Sequence, residues 1–464
     1  MDEFDETLRH LARWVTEVSP DSPEDTAALV RHNLDSIGCA LGSYTHPVAG
    51  ATRAIAATAT AEGGASVIGQ RAKTSPEYAT FANATMVRYL DFNDNYLRNG
   101  GGHTSDLIPA VLAVAEQRHL SGRQFLDALH VGYEVFAAFA DAVRLRDAGW
   151  DYPTFLGYAA SAGVARAMGL TAEQTANALS MTVTPSLALG ITRVGPLANW
   201  KGLASPFTAM NAVFTGQLAA AGLTGPPHVF DGHRGLKQLA TGPFTLEALG
   251  VSQDGRTAAV RSSYKLFVAE FNAQGPVGVF ADLHREGIRP VDIESIRVGT
   301  YEVAWSEIGG GQDDHDVKWD PQNKETADHS MPYMIVVTLT DGDIVRDSYL
   351  PERILDPALR PLMNRIEVVV DDDITANWDK EPAHQIDIVL TSGEHRSIRS
   401  VFPKGHPDNP ATDEELFHKF RRQSEPVIGE SATGEVLDAL LGVEAMADVT
   451  ELARLLAEIE VTGT

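Results

Sequence analysis

The sequence predicts a mainly α protein, with a large helical part, a smaller α+β part and a return to helix near the C-terminal end. Three observations predict it. Apolar residues recur at three- and four-residue steps through the first half. Short runs of β-branched residues with period-two alternation appear only after about residue 260. Helix-start signals then reappear after residue 410. The expected units are an all-α domain over 1–262, an α+β domain over 263–405, and C-terminal helices over 406–464 that return to the all-α domain.

Each element has a local reason. Phe4, Leu8, Leu11, Val15 and Val18 line one helical face. Ser22-Pro23-Glu24-Asp25 starts a second helix, with a capping hydroxyl, a proline at the first helical position and acids in the first turn. Val30, Leu34, Ile37 and Leu41 mark its face, and Gly42 is the expected stop. Ser75-Pro76 begins a helix that should run to about Asp91. The stretches 105–118 and 122–144 read as helices. Thr171 with Gln174 has capping-box spacing, and the many small residues of 203–221 suit close helix contacts. Further on, Ile293–Val303 and Ile366–Val370 read as strands. Ile386, Ile388 and Leu390, then Thr391-Ser392-Gly393-Glu394, then Arg396–Val401 read as a hairpin. Thr326–Leu339 is expected to be helical, and 305–325 a polar loop. Thr412 with Glu415 is a second capping box.

Composition bounds the function. Of 464 residues, 44% are hydrophobic and 22% charged, which is globular and excludes a long disordered chain. Cys39 is the single cysteine, so an intrachain disulfide, a multi-cysteine zinc site and an iron–sulfur cluster are all excluded. With 37 basic and 63 acidic residues, the formal net charge of −26 opposes nucleic acid and anionic lipid. An anionic substrate would need a local cationic pocket. The acidic opening Met1-Asp2-Glu3-Phe4-Asp5-Glu6 is unlike a signal peptide, and no apolar run reaches the ~20 residues of a membrane span. A soluble, cytoplasmic protein is expected, with no nucleic-acid or membrane partner.

Three clusters could carry chemistry. Asp91-Phe92-Asn93-Asp94-Asn95, followed by Gly100-Gly101-Gly102-His103-Thr104-Ser105-Asp106, joins two helices. Its glycines would let the backbone turn sharply and approach a ligand. Thr104 or Ser105 could cap the next helix, whose free N–H groups favour a bound carboxylate. His103, at that positive end, would be a neutral proton acceptor. A structural glycine loop with helix caps explains the same residues. So, formally, does an Mg²⁺ site on Asp91 and Asp94 if they share a helical face, although no second carboxylate-rich helix matches it; no metal is expected. The second cluster, Asn199-Trp200-Lys201-Gly202-Leu203-Ala204-Ser205-Pro206, precedes a helix, so Lys201 and that helix start could hold an anion together; a solvated surface lysine is the plain alternative. In the third, Lys324–Tyr333, His329 and Tyr333 would share a helical face and could shuttle a proton, or could both be core residues. Lys265 is a weaker candidate. Walker-type, GxGxxG, HExxH and GxSxG motifs are missing, which removes support for nucleotide-driven, dinucleotide redox, zincin and α/β-hydrolase chemistry.

Four segments in order resemble the MmgE/PrpD family: LDFNDNYL with GGHTSDLIPAVLAVAE, NWKGLASPFTAMNAVFTGQLAAAGLTGP, YKLFVAEFNAQGPV, and KETADHSMPY with TLTDG. The resemblance covers about residues 5–455. It implies a large all-α domain with an inserted α+β lid, an active site between the two, a homodimer, and chemistry without metal or organic cofactor. The family includes 2-methylcitrate dehydratase, cis-aconitate decarboxylase and iminodisuccinate epimerase, all acting on small di- or tricarboxylic acids. Carried over by position, the family's functional residues fall on Asp91, His103, Lys201, His329 and Tyr333. Substrate-contact positions are expected at Asn95, Thr104, Ser105, Lys265, Asn272 and Asp151. The family often has threonine at Asn95, proline at Thr104, and histidine at Asp151 and Asn272.

The shared chemistry is proton transfer at a carbon next to a carboxylate, where cations must meet the developing charge. The expected roles make His103 the base, oriented by Asp91, and Tyr333, backed by His329, the acid, or the reverse for His103 and Tyr333, with Lys201 and the helix start near His103 meeting the charge. A cofactor-independent hydro-lyase on a 2-methylcitrate-like acid is the leading expectation. A decarboxylase, an epimerase and a non-catalytic acid-binding relative are the alternatives.

Overall fold

The computed structural model describes residues 1–20, 22–98, 101–247, 249–250 and 254–461. It is mainly α, and the chain divides into two units. The first comprises Met1–Gly190, Gly202–Ser262 and Thr412–Thr464; the second comprises Ile191–Lys201 and Ser263–Ala411. The segment Ile191–Lys201 therefore groups with the second unit, although nothing in its composition separates it from the helical half.

Local signals explain the helices of the first unit. Ser22 accepts from the Asp25 N–H and Pro23 opens the helix Pro23–Ser43. Thr171 with Gln174 and Thr412 with Glu415 form complete capping boxes at Ala172–Val183 and Asp413–Leu441. Each such cap contributes about 1 kcal/mol. The aromatic core around Phe139, Phe155, Tyr158, Phe230 and Phe244 packs edge-on and stacked.

Several expectations are corrected. Gly42 is no stop, because the helix runs on to Ser43. Gly38 and Gly42 instead admit Phe420 and Gln423 of the helix Asp413–Leu441; an added Cβ would lie 2.9 Å from Phe420 Cδ2 and 2.2 Å from Gln423 Oε1. The helix Pro76–Arg88 ends before Asp91, which adopts a left-handed φ of 54°. The first half also holds an antiparallel hairpin, β1 (Thr60–Val67) with β2 (Gln70–Thr74), turning at Gly69 with φ 71°.

The second unit carries a four-stranded sheet in the order β4-β3-β5-β6, formed by β3 (Ile293–Thr300), β4 (Ile366–Val370), β5 (His384–Leu390) and β6 (His395–Ser400). β3 runs parallel to β4 and antiparallel to β5, with Ile296 opposite Ile388 and Val298 opposite Ile386. The β5–β6 turn closes through Leu390 N–H to the Glu394 carbonyl, with Gly393 at φ 84°. The expected loop 305–325 contains the short helix His315–Trp319, fixed by the Trp319 indole donating to the Met363 carbonyl. The expected helix Thr326–Leu339 is broken into Lys324–Ala327 and Met331–Asp341, because Ser330 caps the second piece. Among the described residues no helix is long and apolar enough to cross a membrane.

Candidate active site

The first unit builds a polar loop between the helices Pro76–Arg88 and Ile108–Gln117. Tyr96 and Gly102 pair through reciprocal main-chain hydrogen bonds of 2.9 and 3.2 Å. This bridge sets residues 91–95 against 103–106. Gly101 and Gly102 serve that packing: a Cβ would come within 2.0 Å of the Tyr96 carbonyl and 2.3 Å of the Tyr152 ring. They approach the protein's own groups, where the sequence suggested a ligand. Gly100 lies outside the described residues.

His103 is fixed by this pairing. Its Nδ1 sits 2.7 Å from the Asp94 carbonyl, which can only accept, so Nδ1 carries a hydrogen and donates it. Nε2 faces Asp91 Oδ1 at 3.4 Å. Asp91 is buried and also bound at Oδ2 by Arg88 Nη2 at 3.1 Å. A left-handed non-glycine residue costs about 1–3 kcal/mol and persists where its surroundings over-determine it.

The carboxylate expected at the following helix start is the chain's own Asp94. Its Oδ1 accepts the Ser105 N–H at 2.9 Å, and its Oδ2 accepts the Tyr133 hydroxyl at 2.9 Å and lies 3.4 Å from His32 Nδ1. Neither Thr104 nor Ser105 caps through its hydroxyl. Ser105 Oγ accepts from Asn93 instead, at 2.8 Å. Asp91 and Asp94 share no helical face, because the helix has ended by Arg88. Asp106 accepts from Tyr152 (2.9 Å), Ser205 (2.6 Å) and Asn93 (2.8 Å). Burial pushes its carboxyl up to about 6, against the pull of Arg88 and of the Ser205 and Tyr152 hydrogen bonds. Burial alone would weaken the Arg88 cation, but Asp91, Tyr152 and Asp106 hold its pKa well above the ordinary value. Asn95 Oδ1, Thr104 Oγ1 and Arg88 Nη1 are buried and have no hydrogen-bond partner among the described residues. Asp151 Oδ1 accepts the Tyr152 N–H at 2.8 Å, at the start of the helix Pro153–Met168.

The second unit holds two more of the sequence-predicted residues, Lys201 and His329. The turn Asn199–Gly202 brings Lys201 to the stretch 323–329. Asn323 donates to the Leu197 carbonyl at 2.9 Å and Asn199 donates to Glu325 Oε1 at 2.7 Å, which pin the strand of chain that carries the lysine. Lys201 is buried; its ammonium donates to Asp328 Oδ1 and lies 3.1 Å from His329 Nδ1. Lys324 reaches the other Asp328 oxygen at 2.7 Å, and His329 Nδ1 lies 2.9 Å from Oδ1. Burial would raise the Asp328 carboxyl, but Lys201, Lys324 and His329 outweigh it and hold it well below the usual carboxylate range. Lys201 is thus a desolvated, compensated cation, not a solvated surface lysine.

Tyr333 departs from its expected place. His329 precedes Ser330, the cap of the helix Met331–Asp341, so the two do not share a helical face. The Tyr333 hydroxyl is buried, donates to the Ser348 carbonyl, and has its pKa raised by that burial. Asn272 is likewise engaged locally, donating to Glu270 Oε1 at 3.0 Å and accepting from Tyr301. Lys265 is fully buried. Sequence reasoning gave no role to Arg88, Asp106, Tyr152, Ser205, Asp328 and Lys324. Asp106, Ser205, Asp328 and Lys324 stand inside the three clusters, and Arg88 and Tyr152 within three residues of Asp91 and Asp151; the contacts of Tyr152 with Arg88, Asp106 and Ser205 join distant segments and had no signal.

The first unit thus holds a buried histidine–aspartate group and the second a buried lysine–aspartate–histidine group, side chains of the types that can move protons. The chain belongs to the MmgE/PrpD family: residues 9–249 match the MmgE/PrpD N-terminal domain and residues 267–442 the MmgE/PrpD C-terminal domain. Among curated relatives, a cis-aconitate decarboxylase-like protein of Aspergillus oryzae is 26% identical, over 96% of each chain. The 2-methylcitrate dehydratase of Cupriavidus necator is 26% identical over 90% of this chain and 89% of its own. That of Escherichia coli (strain K12) is 26% identical over 87% and 86%.

Proposed function

We propose that the protein is a lyase of the dehydratase type, removing water from a 2-methylcitrate-like tricarboxylic acid in the cytoplasm without metal or organic cofactor. The observation that carries this is the His103 imidazole, locked through Nδ1 onto the Asp94 carbonyl with Nε2 turned to Asp91. Nε2 takes the proton from the carbon next to a carboxylate, and Asp91 stabilises the imidazolium that forms. Lys201 meets the charge that develops on the carboxylate. His329, hydrogen-bonded within the Lys201–Asp328 pair, replaces Tyr333 as the acid that protonates the departing hydroxyl. The names of the Cupriavidus and Escherichia relatives support the substrate class. Asn95, Thr104 and Ser105 remain the proposed substrate contacts on the loop.

A second activity has one specific support, the 96% mutual coverage with the cis-aconitate decarboxylase-like relative. There the same acid would protonate carbon after CO₂ leaves. Incubation with 2-methylcitrate, citrate, cis-aconitate and iminodisuccinate, followed by proton NMR in D₂O, separates the activities. Water loss from 2-methylcitrate supports the proposal. CO₂ loss, epimerisation with deuterium uptake, or binding without turnover each replaces it.

We further propose a homodimer. Phe207 and Phe214, seven residues apart on the helix Ala204–Ala220, are 41% and 49% exposed on one face, which a second copy would cover.

A further inference from the structure

The helix Asp413–Leu441 sends one charged side chain into the interior of the first unit. Lys419 is 6% exposed, and its ammonium lies 2.5 Å from Asp35 Oδ1 and 2.7 Å from the Phe92 main-chain oxygen. It also sits 3.9 Å from the centre of the Phe92 ring. Phe92 directly follows Asp91, and Asn93 and Asp94 come next. One ammonium therefore grips the peptide oxygen in the middle of the segment that holds both loop aspartates.

The grip is costly. A buried ion pair gives up the solvation of both ions, and an apolar pair of similar volume is often as stable or more so. The helix contact itself does not need the charges. Gly38 and Gly42 already receive Phe420 and Gln423 on the same pair of helices. What an apolar pair could not do is donate to the Phe92 carbonyl. Phe92 itself follows Asp91, whose left-handed conformation must be held by its surroundings. Asp35 faces Lys419, and feels Asp94 and His32 as well, so the same cluster reaches the segment at Phe92 and at Asp94.

We infer that Lys419 is a positioning residue: it holds the Phe92 carbonyl so that Asp91 keeps its place against His103. This rests on the role proposed above for Asp91 and His103. The C-terminal helix is then part of the site's support, although it touches no reacting atom.

The test uses the full chain with Asp35→Leu and Lys419→Met combined, which leaves no unpaired buried charge. The expected result is a melting temperature close to wild type, a kcat lower by about 100-fold, and a KM changed by less than about threefold, the pattern of a displaced catalytic group. Amide hydrogen exchange over residues 91–96 should quicken without a matching change elsewhere. Lys419→Arg, which keeps the charge and its donors, should retain most of the activity and the slow exchange. A stable double variant with wild-type kcat and unchanged exchange would overturn the inference. So would uniform loss of protection across the whole unit, which marks an ordinary structural pair. Should the double variant not fold, the neutral pair Asp35→Asn with Lys419→Met decides: exchange that quickens over 91–96 alone supports the inference, and exchange that stays slow there overturns it. Exchange needs no substrate, so a wild type inactive on every acid would refute the proposed reaction and leave the exchange result interpretable by itself.

Discussion

The Nδ1 atom of His103 lies 2.7 Å from the main-chain oxygen of Asp94, which fixes both the tautomer and the ring plane of the imidazole. The Asp94 side chain is itself held by Ser105 and Tyr133. The ring is thus oriented by a carbonyl that cannot easily move. Its other nitrogen, Nε2, faces Asp91 Oδ1 at 3.4 Å.

His103→Asn should leave a folded protein and lower kcat by about 10²–10⁴-fold, the usual contribution of a positioned general base. Asp91→Asn tolerates the left-handed backbone, so it should fold too, while weakening the imidazolium. Steady-state kinetics with the wild type's best substrate checks both; unchanged kcat in His103→Asn would remove it from the mechanism.

Tyr333→Phe should behave as a structural change. Losing the hydroxyl that donates to the Ser348 carbonyl should cost about 1 kcal/mol of stability and leave kcat within a few-fold. Denaturant unfolding and kinetics measure the two. A kcat loss above 100-fold with little loss of stability would restore Tyr333 as the acid.

Lys201→Ala should reduce kcat/KM far more than stability, because Lys324 and His329 still partner Asp328. Asp328 is held below the usual range, so its contribution to stability is present above the unfolded carboxylate pKa and is lost as pH falls through that range and below. The stability difference between wild type and Asp328→Asn, followed by urea unfolding, should therefore shrink on acidification.

His130 Nδ1 lies 2.7 Å from Asp25 Oδ2. Burial pulls its pKa down, yet the Asp25 hydrogen bond and charge, with Glu134, leave it above the ordinary 6.5. A raised histidine pKa gives stability that is full below the unfolded value and fades as pH rises through the folded one. The urea-midpoint advantage of wild type over His130→Gln should be greater in mildly acidic than in alkaline buffer. A constant difference would contradict the assignment.

Phe214→Glu should convert the proposed dimer to monomer in light scattering after size exclusion. A wild type already monomeric at micromolar concentration would exclude the dimer.

What could be read in the sequence was local. The Thr171 and Thr412 boxes, the Ser22-Pro23 start and the Thr391–Glu394 turn act through residues at most four apart, so their spacing is visible. The β1–β2 hairpin was not visible, because glycine and alanine blur its alternation. Gly42 looked like a helix stop because glycine often is one; here it makes room for Gln423, far along the chain. The loop residues His103 and Asp91 stood out by type and order. Their supports, His32, Tyr133, Tyr152 and Lys419, come from remote segments, and no periodicity encodes a contact across such distances. His329 and Tyr333 do not share the face their spacing suggests, because a four-residue step implies one only inside a single helix, and Ser330 starts a new one.

The most direct test follows 2-methylcitrate with wild type and His103→Asn in D₂O by proton NMR. The expected result is loss of water with the appearance of the unsaturated acid in wild type, and neither elimination nor deuterium uptake at the neighbouring carbon in the variant. Elimination by His103→Asn at the wild-type rate, or none by wild type, would contradict it.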